Sequence, residues 1–548
     1  MRGTVAVALM LLLAGCSENA RKNAGENGGT LVIATLEDPG TLFPPFIQST
    51  SAKQITEQIY DYLADVGPEL DTRDDKKFRR ELADSWNWST DSLKLTFHID
   101  SRARWHDGRK VTARDVQFTF ELNKAPAVAS RYLSSLENID SVTLGDSLTA
   151  SFWFHRRVPT QFLDAAAQLL ILPAHQLERI PFGRLRQVVP PPPVGSGRFR
   201  LRRWDKGAGV EIGADTANYR GRARLDRVIW SPVTDFTTAV ARISGGEADF
   251  FDGLRPENLK SLGSRRTLRT IVIPGMGYGF LRFNLRDRMN SRPHPLFGER
   301  NLRRAIAMSI DRNALVRSVF DTFAVVPVGP TVHAYSTTDP SLAQIPFDSA
   351  RAGRLFDSLG WVRSPDNARM KNGKPLVFTI IVSTENLNRI KMSVLVQEQL
   401  RRMGLQASVE RMQSSAQLAR EESGDFDASI GAWTMPSSPD ATRDAWSSIG
   451  IGKNGVNYGS YSNPVFDQLL DSALTSDPAH ARDKFSAAYR VINEDAPAVW
   501  LYEPRRVLGV HRRIRVAQMR PDAWWFSLPD WYIPPAERVL RDRIGGSP

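Results

Sequence analysis

Cysteine is almost absent from this chain of 548 residues, which contains only Cys16. Without a second thiol, the chain can form neither an internal disulfide framework nor a zinc site built on cysteine pairs. The Walker loop, the G-x-S-x-G elbow and the H-E-x-x-H zinc motif are also missing, and the eight histidines are scattered. We therefore expect a protein that is not an enzyme and that holds no cofactor or metal.

Long apolar runs are missing as well, and the longest run lies at the N-terminus. Val5 to Ala14 is apolar, but as a helix it would extend about 15 Å, half the hydrocarbon thickness of a bilayer. Its length is typical of a signal peptide, predicted here as residues 1–15. The sequence Leu-Ala-Gly-Cys ending at Cys16 resembles the lipobox of bacterial lipoproteins, which implies lipidation of Cys16 and a tether over residues 16–29. The alternative is an unlipidated signal peptide in which this cysteine is incidental.

Positive charge is in excess, with 72 lysines and arginines against 60 acidic residues and a formal net charge of +12. Spread over a chain of this size, such an excess is typical of a solvated surface, and we predict no nucleic-acid partner. Apolar residues make up 41% and charged residues 24%, the proportions of a globular protein.

Strand-like and helix-like patterns alternate along the chain without an internal repeat, which predicts a mixed α/β fold. Alternating apolar residues predict a strand over residues 93–99. Thr112 begins a helix with a variant of the capping box. Residues 303–320 have apolar residues at helical spacing, and a strand over 377–382 precedes a helix around 392–403.

Several blocks occur in an order that resembles one family. Leu95–Ile99, followed by Trp105–Val116, is similar to the signature of the family 5 solute-binding proteins of ABC importers. Further similar blocks follow in the order of that family: Gly195–Phe199, Arg303–Arg312, Asn457–Gly459 and Tyr461–Pro464.

The resemblance implies a class II periplasmic-binding-protein-like α/β fold of two lobes joined by a hinge, with the first lobe split into Ia and Ib. The hinge crossings would lie near Asn284 and Asp495. The implied division is 30–58, 190–285 and 495–548 for lobe Ia, 59–189 for lobe Ib, and 286–494 for lobe II.

The resemblance also implies a function. The protein would be a monomer, anchored by its lipid in the periplasm or on the outer face of the cell membrane. It would capture a peptide or related small polar solute between its lobes and deliver it to ABC permease subunits in the membrane. A metal chelate or an oligosaccharide is an alternative ligand. A sensor or chaperone that serves no transporter, or a surface hydrolase, is an alternative function.

The ligand site of the peptide-binding members differs here at one position. In those members a tryptophan is followed three residues later by an aspartate that pairs with the α-ammonium of the peptide. The corresponding tryptophan is Trp433, and the third residue after it is Pro436. Either Asp440 replaces that carboxylate, or the ligand lacks a free amino terminus.

Four other interpretations complete the predicted site. Trp433 follows an apolar strand and enters a Pro- and Ser-rich loop, where its ring can stack on a ligand or, alternatively, pack in the core. Arg389 resembles the arginine that binds the ligand carboxylate, with an exposed helix-capping arginine as the alternative. Tyr278 and Glu37 are further candidate contacts because each lies next to a predicted strand.

Overall fold

The computed structural model describes residues 27–188, 192–255, 259, 267–287, 292–452 and 455–542. Cys16, the predicted signal peptide and most of the predicted tether lie outside the described residues. The first strand begins at Thr30, where the sequence predicts the start of the folded part. None of the described helices is both long and apolar enough to cross a membrane.

Strands occur throughout the described residues. They are β1 (Thr30–Thr35), β2 (Ala64–Asp65), β3 (Arg79–Arg80), β4 (Ala83–Trp88), β5 (Lys94–Ile99), β6 (Ile139–Asp146), β7 (Thr149–Phe154), β8 (Phe199–Asp205), β9 (Gly209–Ala214), β10 (Arg227–Pro232), β11 (Phe250–Leu254), β12 (Leu268–Ile273), β13 (Gly277–Phe283), β14 (Ala324–Val325), β15 (Val362–Arg363), β16 (Arg369–Lys371), β17 (Lys374–Pro375), β18 (Val377–Ser383), β19 (Gln406–Met412), β20 (Ala428–Thr434), β21 (Ala498–Pro504) and β22 (Arg506–His511).

Helices alternate with these strands. They are α1 (Thr50–Ile59), α2 (Ala113–Lys124), α3 (Gln161–Ala166), α4 (Ala174–Leu177), α5 (Phe236–Gly245), α6 (Arg300–Met308), α7 (Arg312–Phe320), α8 (Ser349–Ser358), α9 (Leu387–Arg402), α10 (Ser414–Ser423), α11 (Ala441–Trp446), α12 (Pro464–Thr475) and α13 (Pro478–Asp495).

The chain divides into two compact units. The first comprises the residues up to Pro68, Asp75–Ile271 and the residues from Val507, and the second comprises Glu69–Asp74 and Val272–Arg506. Asn284 and Asp495, near which the hinge crossings were expected, both lie inside the second unit. The adjacent strands β13 and β21 pair directly there. The finer division into lobes Ia, Ib and II stays a prediction.

The first unit contains a seven-stranded sheet in the order β12-β22-β11-β1-β10-β9-β8 and a four-stranded sheet in the order β4-β5-β7-β6. Fully buried Asp249 joins distant segments within this unit, because its carboxylate accepts hydrogen bonds from Arg513, Arg541 and the backbone N–H of Val32. The strand predicted over 93–99 is confirmed as β5, and Thr112 and Asp115 form the predicted capping box at the start of α2.

The second unit contains a six-stranded sheet in the order β14-β21-β13-β20-β18-β19. β18 is parallel to β19 and β20, whereas β13 is antiparallel to β20 and β21. One face is covered by the apolar side chains of α6, α7 and α9 around Leu281 and Phe283. Burial of these apolar side chains between the sheet and the helices forms the main core of the unit.

The helical spacing noted over 303–320 corresponds to two helices in the structure rather than to one continuous helix. α6 ends at Met308 and α7 begins at Arg312. The Asp311 carboxylate accepts a hydrogen bond from the backbone N–H of Ala314 at 2.9 Å and thereby starts the second helix. Buried Ile310 between the helices continues the apolar spacing, so the pattern alone does not reveal the break.

The helix expected around 392–403 begins earlier, at Leu387, and ends at Arg402. Gly404 lies just beyond it with φ +85°, and a Cβ there would approach the carbonyl oxygen of Asn367 to 2.5 Å. Glycine therefore permits both the left-handed turn and the close backbone approach that end this helix.

Candidate functional site

The candidate site lies where β13 begins and β20 ends, at one edge of the sheet of the second unit. The two strands are antiparallel, and Tyr278 in β13 is opposite Trp433 in β20. Directly opposite residues project from the same face of a sheet. The fold therefore brings together two residues that are 155 positions apart in the sequence.

Trp433 is half-buried at this edge. Its ring centroid lies 6.3 Å from that of Phe280 and 6.4 Å from that of Tyr458. Its indole Nε1 is buried and has no hydrogen-bond partner among the described residues. An unsatisfied buried donor costs on the order of 1–3 kcal/mol, which an acceptor on a ligand would recover.

Tyr278 lies inside the aromatic layer, with 1% of its side chain exposed. Its hydroxyl accepts a hydrogen bond from the indole N–H of Trp446 at 2.8 Å, and its ring meets Trp500 edge to face at 5.9 Å. Burial raises the pKa of Tyr278 well above its ordinary value. The side chain supports the layer that carries Trp433, and its direct contact with a ligand stays a prediction.

The loop after β20 is held by hydrogen bonds to its backbone. The hydroxyl of Tyr335 donates to the carbonyl oxygens of Pro436 and Ser438, at 2.5 and 3.0 Å. Pro436 itself is exposed and has no carboxylate to offer a ligand. Pro436, which stands where the peptide-binding members have an aspartate, therefore lies on an accessible loop that is held by hydrogen bonds.

Asp440 ends this loop and precedes α11. Its carboxylate accepts a hydrogen bond from the hydroxyl of Ser438 at 2.7 Å. Burial raises the pKa of Asp440, while that hydrogen bond and the positive charge of Arg73 lower it. Asp440 is thus a half-buried acid that already has a neutral partner, and its pairing with a ligand ammonium stays a prediction.

Arg389 lies in the first turn of α9, where its backbone N–H donates to the side chain of Asn386 at 3.0 Å. Its guanidinium Nε is buried and has no partner among the described residues. Burial raises the pKa of Tyr502 to about 12, and the charge of Arg389 opposes that rise. The helix that carries Arg389 packs in one core with Leu281 and Tyr502, so Arg389 lies on the side of the sheet that carries Tyr502, whose ring packs 4.8 Å from Phe320.

Trp433 and Arg389 are thus associated with opposite faces of one sheet. Tyr502 can lie over β13 because residue 279 is glycine, where an added Cβ would fall 2.0 Å from the tyrosine ring. The structure confirms neither residue as a ligand contact, and both assignments stay predictions.

Glu37 lies in the first unit, on the exposed segment after β1. Its carboxylate accepts a hydrogen bond from the backbone N–H of Thr50 at 3.3 Å, at the start of α1. A carboxylate at a helix N-terminus is stabilised by the helix dipole. This contact gives Glu37 a structural role, and its predicted ligand contact has no further support.

Sequence reasoning missed a second polar group in the second unit, formed by His333 and Glu503. The buried Glu503 carboxylate accepts hydrogen bonds from His333, through the backbone N–H at 3.0 Å and through the ring Nδ1 at 2.7 Å. The ring hydrogen bond raises the pKa of His333, against an opposing effect of burial. No sequence signal links two residues that are 170 positions apart.

A cavity of about 690 Å³ adjoins the aromatic layer and is lined by Tyr458, Glu421 and Glu422, among others. Glu421 already forms a buried ion pair with Arg282, at 2.7 Å between carboxylate and guanidinium. We assign the candidate site to the strand ends at Trp433 rather than to this cavity, because the unsatisfied indole donor lies at the strand ends. No three His, Cys, Asp or Glu side chains in the described part of the chain are arranged to hold a metal ion.

Comparison with solved structures identifies the fold. The oligopeptide-binding protein AppA of Bacillus subtilis in complex with a nonapeptide superposes with a TM-score of 0.69 at 23% identity, covering 93% of this chain and 99% of that one. NikZ of Campylobacter jejuni in complex with Ni(L-His) gives a TM-score of 0.70 at 21% identity, covering 92% and 99%. The fold is the α/β fold of class II periplasmic binding proteins.

Comparison with known sequences gives the same result. AppA of Bacillus subtilis (strain 168) is 25% identical over 548 residues, covering 97% of this chain and 98% of that protein. The probable D,D-dipeptide-binding periplasmic protein DdpA of Escherichia coli (strain K12) is 24% identical, covering 88% and 90%. Residues 77–453 match the family described as "Bacterial extracellular solute-binding proteins, family 5 Middle". This chain belongs to the family 5 bacterial extracellular solute-binding proteins.

Proposed function

We propose that this protein is the lipid-anchored substrate-binding component of an ABC importer, which captures a peptide or related small polar solute and delivers it to a membrane permease. The observation that carries the proposal is the buried indole N–H of Trp433, which has no acceptor among the described residues. Peptide carbonyl oxygens are acceptors of the required kind. The names of AppA and DdpA, which are given as peptide-binding proteins, support the same class of solute.

The loop at Pro436 favours ligands without a free amino terminus. An ammonium buried without a carboxylate costs several kcal/mol, whereas an acylated amine carries no charge to compensate. Asp440 is the described carboxylate nearest in sequence to this loop, and its raised pKa weakens it as a partner for a cation. A chelate such as the Ni(L-His) bound to NikZ is the second candidate ligand, because it too needs no ammonium partner.

Small molecules released on denaturation identify the ligand directly. We expect mass spectrometry of the protein purified from its own cells to detect peptides or peptide-like solutes. Calorimetry with matched dipeptides, free and N-acetylated, then tests the preference, and the acetylated member should bind more tightly. Tight binding of free peptides that survives Asp440→Asn would contradict the proposed role of this loop.

Transport and anchoring need separate tests. Deletion of the gene should abolish uptake of the identified solute, whereas unchanged uptake would favour a sensor or chaperone. Cys16→Ser should release the protein from membranes with unchanged ligand affinity, because Cys16 precedes the first strand at Thr30. Unchanged membrane fractionation of that variant would overturn the lipid anchor. Turnover of a peptide, ester or glycoside would favour a hydrolase.

A further inference from the structure

A basic groove lies between α6 and α8 of the second unit, away from the strand ends of the candidate site. Its volume is about 350 Å³, and it is lined by Arg304, Arg351 and Arg354 together with Asn301 and Ser358. Arg351 and Arg354 are three residues apart on α8, so they share one helix face. The other wall is α6, which carries Arg304.

The three arginines have no ion pair within the described part of the chain, and no acidic residue lines the groove. The nearby acids are occupied elsewhere. The carboxylate of Asp348 accepts from a backbone N–H at the start of α8, that of Glu299 does so at the start of α6, and Asp357 pairs with Arg369. Three arginines therefore line one groove without an acidic residue among its lining residues.

Arg304 is the most informative of the three. Its Nε is buried and has no hydrogen-bond partner among the described residues. The neighbouring buried residue Arg303 behaves differently, because it donates to the carbonyl oxygens of Asp495 and Phe297 at 2.7 Å. The fold thus satisfies one arginine of α6 internally, whereas the Nε donor of the next, which lines the groove, has no partner among the described residues.

We infer that this groove binds a phosphate group, either the headgroup of an anionic lipid or a free phosphate ester. The planar fork of arginine matches phosphate oxygens and donates two parallel hydrogen bonds. The polar groups of Asn301 and Ser358 line the same groove. With a net charge of +12, the whole protein also attracts an anionic surface.

The test uses the full chain with Cys16→Ser, so that any membrane association is independent of the predicted lipid. The probes are inorganic phosphate, titrated by calorimetry at constant ionic strength, and phosphatidylcholine vesicles with or without phosphatidylglycerol, followed by sedimentation. We expect Arg304→Gln to weaken vesicle binding about fivefold and Arg351→Gln with Arg354→Gln about 25-fold.

Arg401→Gln with Arg402→Gln is the matched control. These arginines are exposed on α9, pair with Glu398 and do not line the groove, so their loss removes the same charge outside the proposed site. We expect the control to change vesicle binding less than about twofold, because Glu398 already neutralises part of their charge. Groove variants with lysine in place of arginine should retain part of the binding.

Each outcome decides the proposal. Selective loss of binding to phosphatidylglycerol vesicles in the groove variants supports a lipid headgroup. Loss of the phosphate titration alone supports a free phosphate ester. Equal weakening by groove and control variants, or no binding of either probe to the starting protein, overturns the site. The exposed pair on α8 keeps the test valid if Arg304→Gln fails to fold, as judged by thermal unfolding. None of these outcomes bears on solute binding at Trp433.

Discussion

The two faces of the sheet in the second unit differ in the polarity of the side chains that pack on them. On one face, Leu281 and Phe283 pack into an apolar core of aliphatic and phenylalanine side chains formed with three helices. On the other face, Tyr278, Phe280 and Arg282 join an aromatic layer that includes indole and guanidinium groups. Alternate residues of one strand, β13, therefore serve two different environments.

This difference indicates which face of the sheet is suited to bind a ligand. The face with Leu281 and Phe283 gains free energy mainly by excluding water. The aromatic face contains buried donors without partners among the described residues, Nε1 of Trp433 and two guanidinium nitrogens of Arg282. Such donors destabilise the protein without a ligand, and they favour ligands that supply hydrogen-bond acceptors.

Breaking the ion pair of Arg282 has the largest expected effect. Arg282→Ala leaves Glu421 buried without its partner, because both side chains are almost fully buried. We expect a loss of about 3–5 kcal/mol in the free energy of unfolding, measured with urea. The control is the double variant Arg282→Met with Glu421→Leu, which should recover most of the loss. A double variant as unstable as Arg282→Ala would show that the arginine acts through packing on Phe280 and Tyr458.

Leu281→Ala tests the apolar face of the sheet, which contains Leu281 and Phe283. The side chain is fully buried, and the cavity left behind should cost about 2–5 kcal/mol of stability. Ligand affinity of the folded fraction should be unchanged, as measured by calorimetry below the unfolding transition. A large loss of affinity at intact fold would show that the two faces are not independent.

Trp433→Ala should produce the opposite pattern on the aromatic face. If the ring stacks on the solute, affinity should fall by about 1–3 kcal/mol with little change in the unfolding midpoint. Trp433→Phe keeps a smaller aromatic ring and removes the N–H, so comparison with Trp433→Ala separates the effect of stacking from that of the donor. A destabilised variant with unchanged affinity would identify Trp433 as core.

Asp440→Asn has the smallest expected effect on stability. Because burial raises the pKa of Asp440 in the native state, that state binds its proton more tightly than the unfolded chain. The free energy of unfolding should then fall as pH rises from about 3.9 through the raised pKa. Asp440→Asn should flatten this dependence. At neutral pH it should raise the free energy of unfolding by no more than about 1 kcal/mol. Urea midpoints across this pH range check it, and a less stable variant at neutral pH would show that the ionised carboxylate stabilises the loop.

The local elements were predictable because short-range chemistry decides them. The capping box at Thr112 and the alternation over 93–99 gave a helix start and a strand that the structure confirms. The apolar pattern does not reveal the break before α7, because Ile310 is buried like a helix residue although its segment is not helical. Asp311, which caps α7, is the local signal that could have indicated it. The spacing of apolar residues reflects which side chains are buried. It does not distinguish one long helix from two consecutive helices.

The candidate site was only partly predictable. The order of the sequence blocks indicated the family and pointed to Trp433, but sequence spacing could not tell that Tyr278 is enclosed or that the indole N–H of Trp433 has no acceptor among the described residues. His333 and Glu503, and the arginines of α6 and α8, come together only through tertiary contacts. Their sequence neighbourhoods contain nothing that separates them from surface residues.

The sequence by itself indicated the family through the order of its blocks, and it determined several local elements because caps and alternation act over a few residues. Only the tertiary structure decided which polar groups are satisfied. The indole of Trp446 donates to the hydroxyl of Tyr278, while the indole of Trp433 has no partner among the described residues. The physical reason is that a hydrogen bond depends on the positions of two atoms, and pairing between distant strands sets those positions.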